Sequence, residues 1–160
     1  MATLQRCTDL LDRGRIHYTH AHHANAYRAR EVAAVEHLPP YKLAKTVIFC
    51  GDGFYAMAVL PGDCILDLVE LAISLGLQSV RLATEGEIVR LFPGAEVGAM
   101  PPFGELFSLP VYLDGRLTRE MHIVFKAGTH GDAIHMRLDD YVQVARPLIM
   151  RFAYPEVAVS

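Results

Sequence analysis

Three features of the sequence carry residue types that chemistry can use: a lysine at the start of an apolar run, a loop rich in glycine and proline, and a set of histidines. Lys45 stands in "LAKTVIF", where a buried strand would begin. A lysine so placed either snorkels its ammonium to solvent or holds it at the rim of a pocket, where it binds an anionic or carbonyl oxygen or is tuned by desolvation. Spacing leaves both open. The loop "VGAMPPFGEL", residues 97–106, puts Gly98 and Gly104 around Pro101, Pro102 and Phe103. Glycine permits close approach and positive φ, while the prolines stiffen the chain and remove their own donors. The remaining N–H groups, around Gly98 to Met100, are then held in fixed directions and can bind a carbonyl or a developing oxyanion. The same loop can equally cross the mouth of a sheet with Phe103 as an apolar plug.

Other chemistries lack their residues. His20 and His22 of "HAHH" would share one strand face and His23 would point away, but no carboxylate or cysteine stands near at ligand spacing. A strand edge is the expectation there, with no metal. His130 and His135 lie five apart around a turn and lack HExxH spacing. No GxSxG elbow is present, and Glu105 after Gly104 breaks any phosphate-loop pattern. Cys7, Cys50 and Cys64 form no CxxC pair and leave one thiol over, as expected of reduced intracellular cysteines. No bound cofactor is implied.

Composition narrows the classes further. With 160 residues and 52% hydrophobic content the chain can bury one core, so a single domain over residues 1–160 is expected. The net charge of −3, with 15 basic against 18 acidic residues, argues against a broad basic surface for DNA or RNA. A local contact with an RNA end remains compatible with it. The N-terminal "MATLQRCTDLLDRG" has no apolar signal region and the apolar runs are broken short of a membrane span. A cytoplasmic protein without membrane contact is expected, and a monomer, since no helix shows a sustained heptad.

The elements that must position these residues alternate along the chain. Residues 2–13 have Leu4, Leu10 and Leu11 at helical spacing before Gly14, "RIHYTH" reads as a short strand, and "AREVAAVEHL" as a helix ended by Pro39-Pro40. "KTVIFC" and "FYAMAVL" flank Gly51-Asp52-Gly53 as a hairpin, and their continuous apolarity predicts a sheet covered on both faces. Asp63 is expected to cap a helix closed by Gly76, and Thr84 with Glu87 reads as a capping box. "SVRLA", "LPVYLD", "EMHIVFKAG" and "AIHMRL" read as strands, followed by a short helix from Asp139. Together they predict a mixed, α+β-like α/β fold with a largely antiparallel sheet.

"LAKTVIF", "VGAMPPFG" and "AGTHGDAIHM" in this order resemble the YbaK/prolyl-tRNA synthetase editing-domain family, with further matches at "AREVAAVEHLP", "VLPGD", "RLATEGEI" and "LFPG". The resemblance covers residues 17–150. It implies a fold whose sheet curls towards a partial barrel, and an aminoacyl-tRNA deacylase acting in trans. Lys45 matches the family's strand lysine, Gly98 to Pro102 its GxxxP loop, and His130 the histidine of its "AG…H" segment. By resemblance, Lys45, Gly98 and His130 would be catalytic, with Ala99, Met100, Pro101, Pro102 and Phe103 holding the aminoacyl group. The implied substrate is the acceptor end of mischarged tRNA, with proline tRNA carrying alanine or cysteine expected first. Phe49, Met57, Met100 and Phe103 are candidate pocket walls. An aminoacyl ester is already activated, so a positioned water or ribose hydroxyl can attack it without a protein nucleophile. The acidic balance leads to the expectation that a synthetase partner supplies further tRNA contact. A binding module of the same fold without hydrolysis is the alternative, and a hydrolase of other small aminoacyl esters or amides is a third reading.

Overall fold

The computed structural model describes residues 2–157. Along the chain run α1 (Thr3–Arg13), β1 (Tyr18–His22), α2 (Ala29–Val35), β2 (Ala44–Gly51), β3 (Phe54–Pro61) and β4 (Cys64–Leu66). There follow α3 (Leu68–Leu75), β5 (Val80–Leu82), α4 (Glu85–Leu91), β6 (Val111–Asp114), β7 (His122–Lys126) and β8 (Asp132–Arg137). The order ends with α5 (Leu138–Ala145), β9 (Leu148–Met150) and β10 (Ala153–Pro155).

The hairpin forms because Asp52 and Gly53 both take positive φ, 47° and 88°, the two-residue turn whose twist suits right-twisted strands. It sets β2 against β3 from Ala44 opposite Pro61 to Gly51 opposite Phe54. Around this pair a five-stranded sheet has the order β5-β2-β3-β6-β9, in which β6 is parallel to both neighbours. The remaining ladders, in the three-stranded sheet β1-β8-β7 and the pair β10-β4, are antiparallel. The sheets do not close into a barrel. Among the described residues a single bridge, between Leu43 and Val124, joins the strand system of β2 to that of β7.

Alternation along β3 sends Met57 and Val59 into one core cluster, with Leu11, Phe92, Phe103, Phe125 and Tyr141. Ala56, Ala58 and Leu60 point into the other, with Phe49, Leu71 and Phe152. The sheet is therefore covered on both faces, and each fully buried Leu or Phe stabilises the fold by roughly 1.5–3 kcal/mol.

Helix signals hold where they are local. The Thr84 and Glu87 capping box opens α4 with both reciprocal bonds, and Gly76 closes α3 at φ 67°. Asp63 is not the cap of α3. Residues Cys64–Leu66 pair with β10 instead, so the helix starts later and Asp67 accepts the Glu70 N–H at 3.1 Å. The strand read at "RIHYTH" starts only at Tyr18, because Arg15 is left-handed at φ 55°. α5 is preceded by Arg137 as its N-cap residue, leaving Asp139 in the first turn.

Candidate active site

The Leu43–Val124 bridge brings the start of β2 beside β7, and the loop after α4 closes over the gap. A cavity of about 160 Å³ results. Its walls are Leu43, Ala44, Lys45 and Thr46 at the start of β2, Gly98 and Met100 from the loop, Tyr27 and Ala29 before and in α2, and Lys126 at the end of β7.

The loop is clipped to the turn after β7. Glu96 N–H donates to Gly128 O at 2.9 Å and Gly128 N–H to Ala99 O at 2.7 Å. Ala99 N–H is engaged by Glu96 O at 3.0 Å, whereas among the described residues Gly98 and Met100 N–H have no acceptor. Gly98 has φ 86°, and a Cβ there would lie 3.5 Å from His130 Cε1. The second half of the loop is anchored in the core: Phe103 packs against Phe125 and Tyr141, each at 5.4 Å between ring centroids. Tyr141 O–H donates to Pro102 O at 2.8 Å. Ala99, Pro101, Pro102 and Phe103 are thus buried behind the wall that Gly98 and Met100 present. Phe49 and Met57 lie in the two cores, outside the cavity lining.

His130 fastens this wall. Its Nε2 lies 2.9 Å from Val97 O, so that nitrogen carries the hydrogen and donates. Its Nδ1 then accepts from Lys126 Nζ at 3.0 Å. The backbone N–H of His130 donates to Glu96 Oε2 at 3.2 Å, and the Tyr27 ring tilts over its imidazole at 4.6 Å. Burial, then the Lys126 charge, lowers the His130 pKa, which keeps the ring neutral in this tautomer.

The two lysines of the cavity are both half-buried. Lys126 also donates to Tyr27 O at 2.7 Å, and burial pulls its pKa down to about 8 against the opposing charges of Glu31 and Glu96. Lys45 has no hydrogen-bond partner among the described residues. Burial lowers its pKa as well, opposed by Glu156, Cys64 and Asp63. Beside it, Thr46 Oγ1 is buried without a partner among the described residues. Sequence reading missed Lys126; its only signal was a lysine four residues before His130, a spacing that brings side chains together only because a tight turn intervenes.

The histidine cluster has a partner that spacing did not reveal. Asp132 Oδ1 accepts from His20 Nε2 at 2.7 Å and lies 3.0 Å from His22 Nδ1, and Thr129 Oγ1 donates to Asp132 Oδ2 at 2.6 Å. Burial would raise the Asp132 pKa, but bonds from Thr129, His22 and His20 hold it at about 2. None of these four residues is among those lining the cavity.

Fold and cavity define a mixed α/β protein whose pocket is lined by a lysine and two loop residues that, among the described residues, leave an ammonium and two backbone N–H groups without partners. Residues 23–144 match the family model of the aminoacyl-tRNA editing domain, and the chain belongs to that family. It is similar to the multifunctional Ser/Thr-tRNA deacylase ProXp-y of Escherichia coli K12, 30% identical over 103 residues, 64% of this chain and 61% of that protein. The proline–tRNA ligase of Thermotoga neapolitana is 38% identical over 74 residues, covering 46% of this chain and 13% of the ligase. That of Nitratidesulfovibrio vulgaris is 32% identical over 128 residues, covering 78% of this chain but 22% of the ligase. The chain thus matches a minor part of the ligases. Among solved structures, a candidate trans-editing enzyme for prolyl tRNA synthetase shares the fold with a TM-score of 0.82 at 21% identity, covering 98% of this chain and 99% of that one. A protein described as hypothetical gives 0.85 at 19% identity, covering 93% and 99%.

Proposed function

We propose that this chain is an aminoacyl-tRNA deacylase acting in trans on mischarged tRNA, with proline tRNA carrying alanine or cysteine as substrate. The observation that carries this reading is that one small cavity is lined by Lys45, whose ammonium has no partner among the described residues, and by Gly98 and Met100, whose N–H groups have none there either. Attack of water on the ester carbonyl forms a C–O bond and puts negative charge on the carbonyl oxygen. Fixed N–H donors stabilise that charge without reorganising, and a desolvated lysine adds to the field. Collapse then breaks the bond to the ribose oxygen, which takes up the proton that the attacking water gives up.

His130 serves by position. Both ring nitrogens are engaged, so it holds the Val97 carbonyl, and with it Gly98, while Lys126 fixes its tautomer. Met100 lines the aminoacyl pocket directly; Ala99, Pro101, Pro102 and Phe103 support it from behind. A cavity of about 160 Å³ suits a small side chain. Discrimination by a methylene-sized difference is worth only about 1–3 kcal/mol, which is what makes a second hydrolytic sieve useful. The protein works in the cytoplasm as a single-domain monomer, beside a synthetase partner that supplies the tRNA contacts an acidic chain lacks.

A second reading, hydrolysis of seryl- or threonyl-tRNA, is favoured by Thr46, which lines the cavity and whose Oγ1 is buried without a partner among the described residues. The name of the E. coli relative points the same way. The deciding experiment incubates the protein with a panel of correctly and incorrectly charged tRNAs and follows loss of the ester. Fast loss of alanine or cysteine from proline tRNA supports the first reading and selective loss of serine or threonine the second; no hydrolysis anywhere overturns the deacylase.

A further inference from the structure

Beside the active-site cavity, and sharing Ala29 and Lys45 with it, lies a more open cleft of about 330 Å³. Its other walls are Arg28, Arg30, Gly62 and Glu156. Arg28 is the N-cap residue of α2 and Arg30 stands in its first turn, both exposed. Gly62 lets the end of the hairpin approach this segment closely, since a Cβ there would lie 3.1 Å from Ala29 Cβ and 2.7 Å from Pro40 O. The acidic wall comes from the far end of the chain. Pairing of Pro155 with Cys64, followed by Glu156 N–H donating to Asp63 O at 2.8 Å, sets the Glu156 backbone at the cleft. Its Oε2 lies 3.7 Å from Arg30 Nη2.

Three cations therefore meet at one mouth in a chain whose net charge is −3. Guanidinium forks match phosphate oxygens in geometry as well as charge. We propose that this cleft is a phosphate subsite for the RNA phosphodiester next to the scissile ester, held by Arg28 and Arg30, and that Glu156 occupies it as an internal anion which the RNA displaces. The identity of the RNA rests on the deacylase reading; the phosphate chemistry rests on the cleft itself. The shared Lys45 ties the two sites. An anion in the cleft and a developing oxyanion in the cavity both lie within the field of one ammonium, so acceptor-end binding and chemistry use adjacent sides of the same side chain. Displacement is easy because the Arg30 and Glu156 side chains are 66% and 48% exposed and their contact is long, the kind of surface pair that contributes little. A compact subsite of this size gives an acidic chain its own local phosphate contact at the acceptor end, the rest of the tRNA being left to the synthetase partner.

The test measures anisotropy of a fluorescent acceptor-stem RNA ending in CCA, over a range of salt, with wild type, the double variant Arg28→Gln/Arg30→Gln, and Glu156→Gln. All three positions are exposed, so the fold should be retained. The double variant should weaken binding and flatten the salt dependence of log K by roughly 0.7, the single-strand value for one phosphate no longer neutralised. Glu156→Gln should tighten binding severalfold. Unchanged affinity and slope in the double variant overturn the subsite. Competition with AMP and inorganic phosphate separates the sources of phosphate: an AMP affinity equal to that of the RNA overturns the RNA assignment in favour of a free nucleotide. A kinetic arm separates this inference from the deacylase reading. The ratio of kcat/KM for alanyl-tRNA to that for alanyl-adenosine, which has no phosphate, should fall about tenfold in the double variant, equivalent to one lost charge-assisted contact. If the wild type cleaves neither substrate the deacylase reading falls, and the RNA anisotropy still decides the subsite.

Discussion

Lys45 and Lys126 wall the same cavity from different strands, and burial lowers the pKa of each, yet their surroundings differ. Lys126 donates to Tyr27 O and to His130 Nδ1. Lys45 donates to nothing among the described residues. A half-buried ammonium whose donors are engaged is part of the frame, because its hydrogen bonds already offset its desolvation. One whose donors are free is held ready for an oxygen that arrives with a ligand. The same division runs through the loop, where Ala99 N–H is bonded and, among the described residues, Gly98 and Met100 N–H are not.

The largest effect should come from the free lysine. Lys45→Ala removes an ammonium that donates to no group among the described residues, so kcat/KM for mischarged tRNA should drop by roughly 10²–10³, the scale of losing an oxyanion donor. Its melting temperature should be equal to or above wild type. Wild-type activity in this variant would erase the distinction between the two lysines. Next in size is Gly98→Ala. The new Cβ lies at ordinary contact distance from His130, but φ 86° strains any L side chain, at about 1–2 kcal/mol. Relief of that strain by moving the loop should lower kcat/KM about tenfold, measured beside a thermal melt that also falls.

Lys126→Met should act more weakly, through His130. Removing the neighbouring charge should raise the His130 pKa, read by NMR titration of its ring protons, while kcat/KM falls by less than in Lys45→Ala. The pH dependence of stability has a definite sign. An unfolded lysine titrates near 10.4, whereas folded Lys126 titrates at about 8. Between those values the unfolded chain binds more protons, so wild-type stability relative to the variant rises with pH across the window from about 8 to 10.4 and is flat below it. Urea midpoints for both proteins over pH 7–10 check this; a difference that does not change with pH would show that Lys126 is not desolvated.

What the sequence made legible follows the range of the interactions. The Asp52-Gly53 turn, the Thr84 and Glu87 box and the Gly76 stop are set by residues within a few positions, and each folds as its neighbours require. Asp67 displaced Asp63 as a cap because β4 pairs with β10, a strand from the far end of the chain. Asp132 reaches His20 and His22 only through the antiparallel register of β1 with β8, so no local spacing announced it. Within the GxxxP segment, the motif marked the loop, but which N–H groups stay free depends on where Gly128 and Glu96 bond back to it. The free lysine stood out by its place in an apolar run. The bonded one did not, because its partner lies across a turn.

The smallest change carries the sharpest choice of substrate. Thr46 adjoins Lys45 in the cavity wall, and its Oγ1 is buried without a partner among the described residues, a state that costs about 1–3 kcal/mol. Thr46→Val keeps the branched shape and removes the hydroxyl, so stability should be unchanged or slightly higher. A substrate bearing a side-chain hydroxyl would satisfy Oγ1 and lose roughly 1 kcal/mol of binding in the variant, about a fivefold drop. One bearing alanine's methyl would lose nothing comparable. The ratio of deacylation rates for seryl- and alanyl-tRNA, wild type against Thr46→Val, therefore separates the two substrate readings. A ratio that falls about fivefold assigns the free hydroxyl to the substrate. A constant ratio leaves Lys45 and the backbone donors as the polar wall, with size alone selecting the amino acid.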